Sequence, residues 1–239
     1  MHLKRQEELD ISIVMPCLNE ARTVGICVDQ AYGFINSHGL KGEVIVVDNG
    51  SRDGSPDRAY MHGAEVLTET RKGYGSAIRR GLKYTRGRVV VIGDCDTTYD
   101  FFDLEGFYYR ITVSGFDMVI GDRFAIDMEK GAMPLSHKIG VKFLSFCGRR
   151  AFHTNVHDFH CGLRSISRQA LEKLNFGTVG MEFATEMIAC TQKEGLKIDQ
   201  IPTKLSVCKY KRKSKLRAVR DGLRHLGYIV HGGKISGRD

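Results

Sequence analysis

Asp94-Cys95-Asp96 puts two carboxylates at positions i and i+2. In an extended or turning segment such side chains point the same way, so the pair can share one hard cation. Mg²⁺ or Mn²⁺ held there would bridge two phosphates and neutralise a departing diphosphate. Acids after strands are also ordinary turn formers. This triplet, however, directly follows the apolar run Val89-Val-Val-Ile92. Two other segments occupy the same kind of position. Asp48-Asn49-Gly50-Ser51 reads as an Asx turn or as a carboxylate accepting hydrogen bonds from a nucleotide's base or ribose. Pro16-Cys17-Leu18-Asn19-Glu20 would form the opposite wall of that pocket, although Glu20 at a helix start is equally explained by the helix dipole.

The elements that must position these loops are short β-branched runs alternating with helical patterns. Strands are predicted at 11–15, 43–48, 64–67, 88–93 and 117–121, and helices at 20–36, 55–61, 75–85 and 101–114. Continuous apolar strands separated by helices indicate a mostly parallel, Rossmann-like α/β sheet covered on both faces. In such sheets ligands bind beyond the carboxyl ends of the strands, where all three loops fall. From Pro134 onward helices are expected to dominate, with one further strand near 197–201. No repeat or linker divides the chain, so a single domain over 1–239 is expected.

The bulk composition narrows the partners. The net charge of +8 calls for an anionic one. From Lys204 to Arg224 nine basic residues face one acid, Asp221, so the charge is concentrated in a basic loop and helix at about 204–230. In that helix Leu216, Val219, Leu223, Leu226 and Val230 share one face, which suits packing on the domain or lying on anionic lipid. Seven scattered cysteines fit reduced thiols, and Met1 to Asp10 is polar, unlike a secretory signal, so a cytoplasmic location is expected, with peripheral contact at an anionic membrane face. No window approaches the ~18 uninterrupted apolar residues of a spanning helix. No nucleic acid is expected, because no nucleic-acid motif accompanies the charge.

Together the loops resemble a known family. Val14-Met-Pro-Cys-Leu-Asn-Glu20, Val47-Asp-Asn-Gly-Ser-Arg-Asp-Gly54, Gly73-Tyr-Gly-Ser-Ala77 and Gly93-Asp-Cys-Asp96 resemble, in order and spacing, family 2 glycosyltransferases with the GT-A fold. Downstream, Ile120-Gly-Asp-Arg-Phe124, Asp158-Phe-His-Cys-Gly-Leu-Arg164, Gly180-Met-Glu-Phe-Ala-Thr-Glu-Met187 and Ser214-Lys-Leu-Arg217 are similar to polyprenyl-phosphate hexosyltransferases, the dolichyl-phosphate mannose and glucose synthases among them. The resemblance implies a GT-A sheet with a helical C-terminal extension. It implies base and ribose contacts from Pro16, Leu18, Glu20 and Asp48, and a metal held by Asp94 and Asp96 with Cys95 in the donor loop. Arg123 would meet the phosphates at the reaction centre beside Asp96. Lys209 and Lys215 would contact the donor diphosphate from a closing loop, and Lys138, Arg164 and Glu186 would lie on the acceptor side. Asn49 stands where a second acid is common, and Thr98 where some mannosyl members carry Gln.

The implied reaction is inverting transfer of a hexose from a UDP- or GDP-sugar to a polyprenyl phosphate. A phosphate monoester is substantially ionised near pH 7 and attacks without a protein base. Transfer to a hydroxyl of a soluble acceptor would need one, with Glu182, Glu186 and Asp158 as candidates. A non-catalytic basic module explains the charge but not the three strand-end loops. A zinc site at His157, His160 and Cys161 lacks a second ligand cluster.

Overall fold

The computed structural model describes residues 9–208, 210 and 218–231. Seven strands form one sheet: β1 (Leu9–Cys17), β2 (Gly42–Asp48), β3 (Glu65–Thr68), β4 (Gly87–Ile92), β5 (Met118–Asp122), β6 (Arg164–Ser167) and β7 (Ile198–Pro202). Their order is β3-β2-β1-β4-β6-β5-β7. The helices are α1 (Val24–Ser37), α2 (Ser55–Met61), α3 (Tyr74–Leu82), α4 (Glu105–Thr112), α5 (Leu135–Phe152), α6 (Arg168–Lys173), α7 (Phe183–Lys193) and α8 (Ala218–Val230).

Strands β1, β2 and β4 are buried almost end to end, as their unbroken Ile/Val runs require of strands covered on both faces. All pairings are parallel except those of β6, which runs antiparallel to β4 on one side and β5 on the other. The chain builds outward from β1 to β2 and β3, then returns to place β4 on the other side of β1. The strand order therefore reverses between β1 and β4, and a crevice opens beyond their carboxyl ends.

Strand β6 was not expected, since helices were to dominate this region. It is only four residues long and lacks an apolar run: Arg164 and Ser165 sit inside because internal partners satisfy them. The Ser165 hydroxyl donates to the Phe107 carbonyl at 2.9 Å. Two helix starts also differ from expectation. Helix α1 begins at Val24, so Glu20 lies before it, and the Glu20 carbonyl accepts from Thr23 and Val24. Helix α4 begins at Glu105, because the Asp100 carboxylate first caps the Phe102 amide in an Asx turn.

At the opposite end of the sheet a polar knot, buried at Ser12 and Glu43 and open at Arg86, fastens β1 to β2 and β4. The Ser12 hydroxyl donates to Glu43 at 2.6 Å, and Glu43 accepts two bonds from the Arg86 guanidinium. Gly87 then passes so close to β1 that a Cβ there would sit 2.4 Å from backbone atoms of Ile11 and Ser12. Gly87→Ala is expected to destabilise the fold by about 3 kcal/mol, at the upper end of ordinary overpacking, since backbone rather than a side chain must yield. Urea unfolding with an unchanged m-value would register it.

Candidate functional site

Beyond the carboxyl ends of β1, β4 and β5 lies a cleft of about 760 Å³. Its polar half is lined by Pro16, Leu18, Glu20, Asn49, Lys72, Tyr74, Asp94, Asp96, Thr98 and Arg123. The sheet topology thus brings together the loop after β1, the Asp94–Asp96 triplet after β4, and Arg123 after β5.

Loop conformation is fixed by side chains. Asn19 has a left-handed backbone with φ 52°. Its amide donates to Ser51 Oγ at 2.8 Å while its side-chain oxygen accepts from the Arg52 amide at 2.8 Å. The Glu20 amide donates to Ser55 Oγ, and that of Ala21 to Asp53. The loops after β1 and β2 are therefore stitched into one wall. Asn49 extends the stitching: its Nδ2 donates to the Glu69 and Arg71 carbonyls, and its Oδ1 accepts from the Gly73 amide. An amide both donates and accepts here, which an acid could not do.

Asp94 is held from two directions. The Tyr74 phenol hydrogen-bonds to it, and burial together with that carboxylate pushes the Tyr74 pKa well up, so the phenol keeps its proton. On the β6 side Gly162 leaves the room: a Cβ there would lie 2.3 Å from Asp94 Oδ2. Asp96 accepts from the Thr98 amide at 3.0 Å and from the Thr98 hydroxyl, with Thr97 turned to φ 63° between them. Cys95, buried between the two acids, donates its thiol to the Pro16 carbonyl at 3.3 Å and ties the triplet to the β1 loop.

Arg123 reaches the cleft while gripped from behind. Its Nε and Nη2 donate to the two Asp158 oxygens at 2.6 and 2.8 Å, and Asp158 is fully buried. Burial works against the guanidinium charge, but Tyr99 and Asp158 outweigh it and hold the Arg123 pKa above its ordinary value.

Not every expected residue reaches the cleft. Asp48 turns back on its own loop, accepting from the Gly50 and Ser51 amides at 3.0 and 3.1 Å, which is the Asx turn. Arg164 and Glu186, expected on the acceptor side, are instead internal struts. The Arg164 guanidinium donates to the Ala184, Phe159 and Cys161 carbonyls. Glu186 accepts from the Gly177 and Thr178 amides and the Thr178 hydroxyl. Lys138 lies outside the wall, although its α5 neighbours His137, Val141 and Leu144 line it. Lys209 and Lys215 lie outside the described residues.

Lys72 and Tyr74 were missed. Lys72 Nζ donates to the Asn49 carbonyl at 2.7 Å, a contact set by Gly73 at φ 143° and visible in no local pattern. The glycines of Gly73-Tyr-Gly are close-approach points: Gly75 and Ser76 amides donate to the Gly180 and Val179 carbonyls. That use of the α3 amides removes a dinucleotide cradle there.

The rest of the cleft carries a run of apolar side chains, Met133, Val141, Leu144, Met181, Leu205 and Val219, from the α5, α7 and α8 regions, with His137 of α5 and Arg220, Asp221 and Arg224 of α8 beside them. At its inner end His160 and His225 meet edge to face, 4.3 Å between centroids. Burial keeps both imidazoles neutral, lowering His225 to about 4. Among the described residues no group of three or more His, Cys, Asp or Glu side chains suits a metal ion.

Two acids and an arginine thus meet in a cleft at the switch point of an α/β sheet. Residues 12–175 match the family described as Glycosyl transferase family 2, and the chain belongs to that family. Its relatives include the low-salt glycan biosynthesis hexosyltransferase Agl6 of Haloferax volcanii, 32% identical over 92% of this chain and 53% of the relative. Glycosyltransferase AglJ of the same organism is 30% identical, over 81% of this chain and 62% of its own length. The chain thus spans about half to three-fifths of these two. The dolichyl-phosphate hexose transferase of that organism is 29% identical over 81% of both chains. Glucosyl-3-phosphoglycerate synthase of Mycobacterium tuberculosis, solved with Mn²⁺, UDP-glucose and phosphoglyceric acid, shares the fold: TM-score 0.75 at 23% identity, over 96% of this chain and 81% of that one.

Two outcomes are expected here. Gly162→Ala should lower kcat/KM by roughly 10- to 100-fold through displacement of Asp94, with little change in melting temperature. The pH effect follows from His225, whose pKa falls from 6.5 to about 4 because burial disfavours its charge. The unfolded chain then takes up the proton first as pH drops. The contribution of neutral His225 to stability is fully present above pH 6.5, declines below it, and is lost as pH falls through about 4. His225→Gln should flatten that part of a melting-temperature profile.

Proposed function

We propose that this glycosyltransferase moves a hexose from a nucleotide-diphosphate sugar to a polyprenyl phosphate, acting as one catalytic domain over 1–239. The observation that carries the reading is the two-sided cleft, with acids and bases at one end and a trough rich in apolar side chains at the other. A nucleotide sugar suits the first: Pro16, Leu18 and Glu20 would receive the base and ribose, and Lys72 and Arg123 would offset phosphate charge. An isoprenoid suits the second, its phosphate directed toward Arg123.

Asp94 and Asp96 would hold Mg²⁺ or Mn²⁺, which when bound stabilises the leaving diphosphate. Two carboxylates without a third protein ligand among the described residues suit a cation that completes its shell with phosphate oxygens and water. The structural neighbour's Mn²⁺ and UDP-glucose complex supports the same choice of cation and donor.

The acceptor follows from what the carboxylates are doing. Glu182 accepts from the Gly180 amide and Arg224, Glu186 from Thr178, and Asp158 from Arg123. All three candidate bases are buried and none lines the cleft; Glu186 and Asp158 are committed to internal donors, while Glu182 accepts through Oε1 and leaves Oε2 without a partner. A hydroxyl acceptor needs such a base, whereas a phosphate carries its own charge. The phosphoglyceric acid bound to the structural neighbour favours a soluble acceptor, but the relatives include a dolichyl-phosphate hexose transferase.

Asp96→Asn should lower transfer at least about a hundredfold while the melting temperature stays near wild type. With labelled UDP- and GDP-hexoses and Mn²⁺, label should enter a short-chain polyprenyl phosphate. Label in soluble alcohols but not in the lipid phosphate would reverse the acceptor assignment, and full turnover by Asp96→Asn in chelator would remove the metal.

A further inference from the structure

Helix α8 was expected either to pack its apolar face on the domain or to lay it on lipid. The structure buries a different face: His225, Tyr228 and Ile229 point inward, and Val219, Leu223 and Val230 are exposed. Helix α5, packed against α8, has a matching feature. Leu135, Ile139, Phe143 and Phe146 recur at helical spacing, and all seven of these apolar side chains are 50–80% exposed. Single exposed apolar residues are ordinary, but two packed helices each carrying a stripe of them are not.

The charge around the stripes identifies what covers them. Helix α5 contains Lys138, Lys142, Arg149 and Arg150 and no acid. The Arg150 guanidinium lies 5.5 Å above the Phe146 ring, at the end of the stripe. Helix α8 adds the exposed Arg220 beside one acid, Asp221. Apolar side chains bordered by cations match the acyl-headgroup boundary of an anionic bilayer. The same helices also supply apolar lining of the cleft, through Val141, Leu144 and Val219. A chain that enters this trough from a bilayer need not cross water.

We propose that the exposed faces of α5 and α8 form one docking surface for an anionic lipid bilayer, seating the acceptor end of the cleft on the membrane. This rests on the lipid-phosphate reading for its purpose, but vesicle binding tests it without substrate.

The experiment is flotation of the full chain with phosphatidylglycerol/phosphatidylcholine vesicles and with phosphatidylcholine alone. The wild type should float with the anionic vesicles and much less with the neutral ones. The triple variant Ile139→Glu, Phe143→Glu, Leu223→Glu should bind at least about tenfold less. None of these residues lines the cleft, so its melting temperature and its transfer to a short, water-soluble polyprenyl phosphate should match wild type. Equal flotation of variant and wild type overturns the proposal, as does a wild type that ignores anionic vesicles. A wild-type dimer that the variant dissolves, without vesicle binding, assigns the face to a second copy instead and also overturns it. Vesicle binding that persists while transfer to any lipid phosphate fails sustains the surface and removes the acceptor reading alone.

Discussion

The parallel pairing of β1 with β4 sets Ile11 opposite Val89 and Val14 opposite Ile92, joining segments far apart in the chain. Gly87 allows the close approach of the two strands, and the Ser12, Glu43 and Arg86 knot ties that end of the sheet. A one-residue slip would invert every side chain of the strand and carry Asp94 away from the loop after β1. The cleft is therefore a downstream product of packing at the far end of the sheet.

Charge is used twice in this molecule. Arg123 faces the cleft but is oriented by Asp158, and Arg224 lines it but is tied to Glu182. A buried pair of this kind adds little net stability compared with an apolar substitute, yet losing one partner strands the other. What the pairs supply is fixed orientation, and fixed orientation is what a site handling two anions requires.

Much of this was legible beforehand, for identifiable reasons. The parallel strands could be read because their Ile/Val runs are continuous, and the loops because they sit where those runs stop. Strand β6 was hidden because four residues that open on a buried arginine carry no period. Arg164 and Glu186 illustrate a different limit: residue type says that a charge must be satisfied, not whether substrate or backbone will satisfy it. Lys72 depends on a glycine turn that only tertiary contact with 179–180 explains. For α8 the apolar period was plain, but a period does not say whether its face meets protein or solvent.

The stitching between the loops after β1 and β2 has a thermodynamic meaning. Ser51, Ser55 and Asp53 occupy the amides of Asn19, Glu20 and Ala21 before any ligand arrives. The disorder of that wall is given up when the chain folds, so an incoming molecule finds it already in shape. Recognition on this side of the cleft works as a lock, and whatever adjustment the reaction needs must come from elements not stitched in this way.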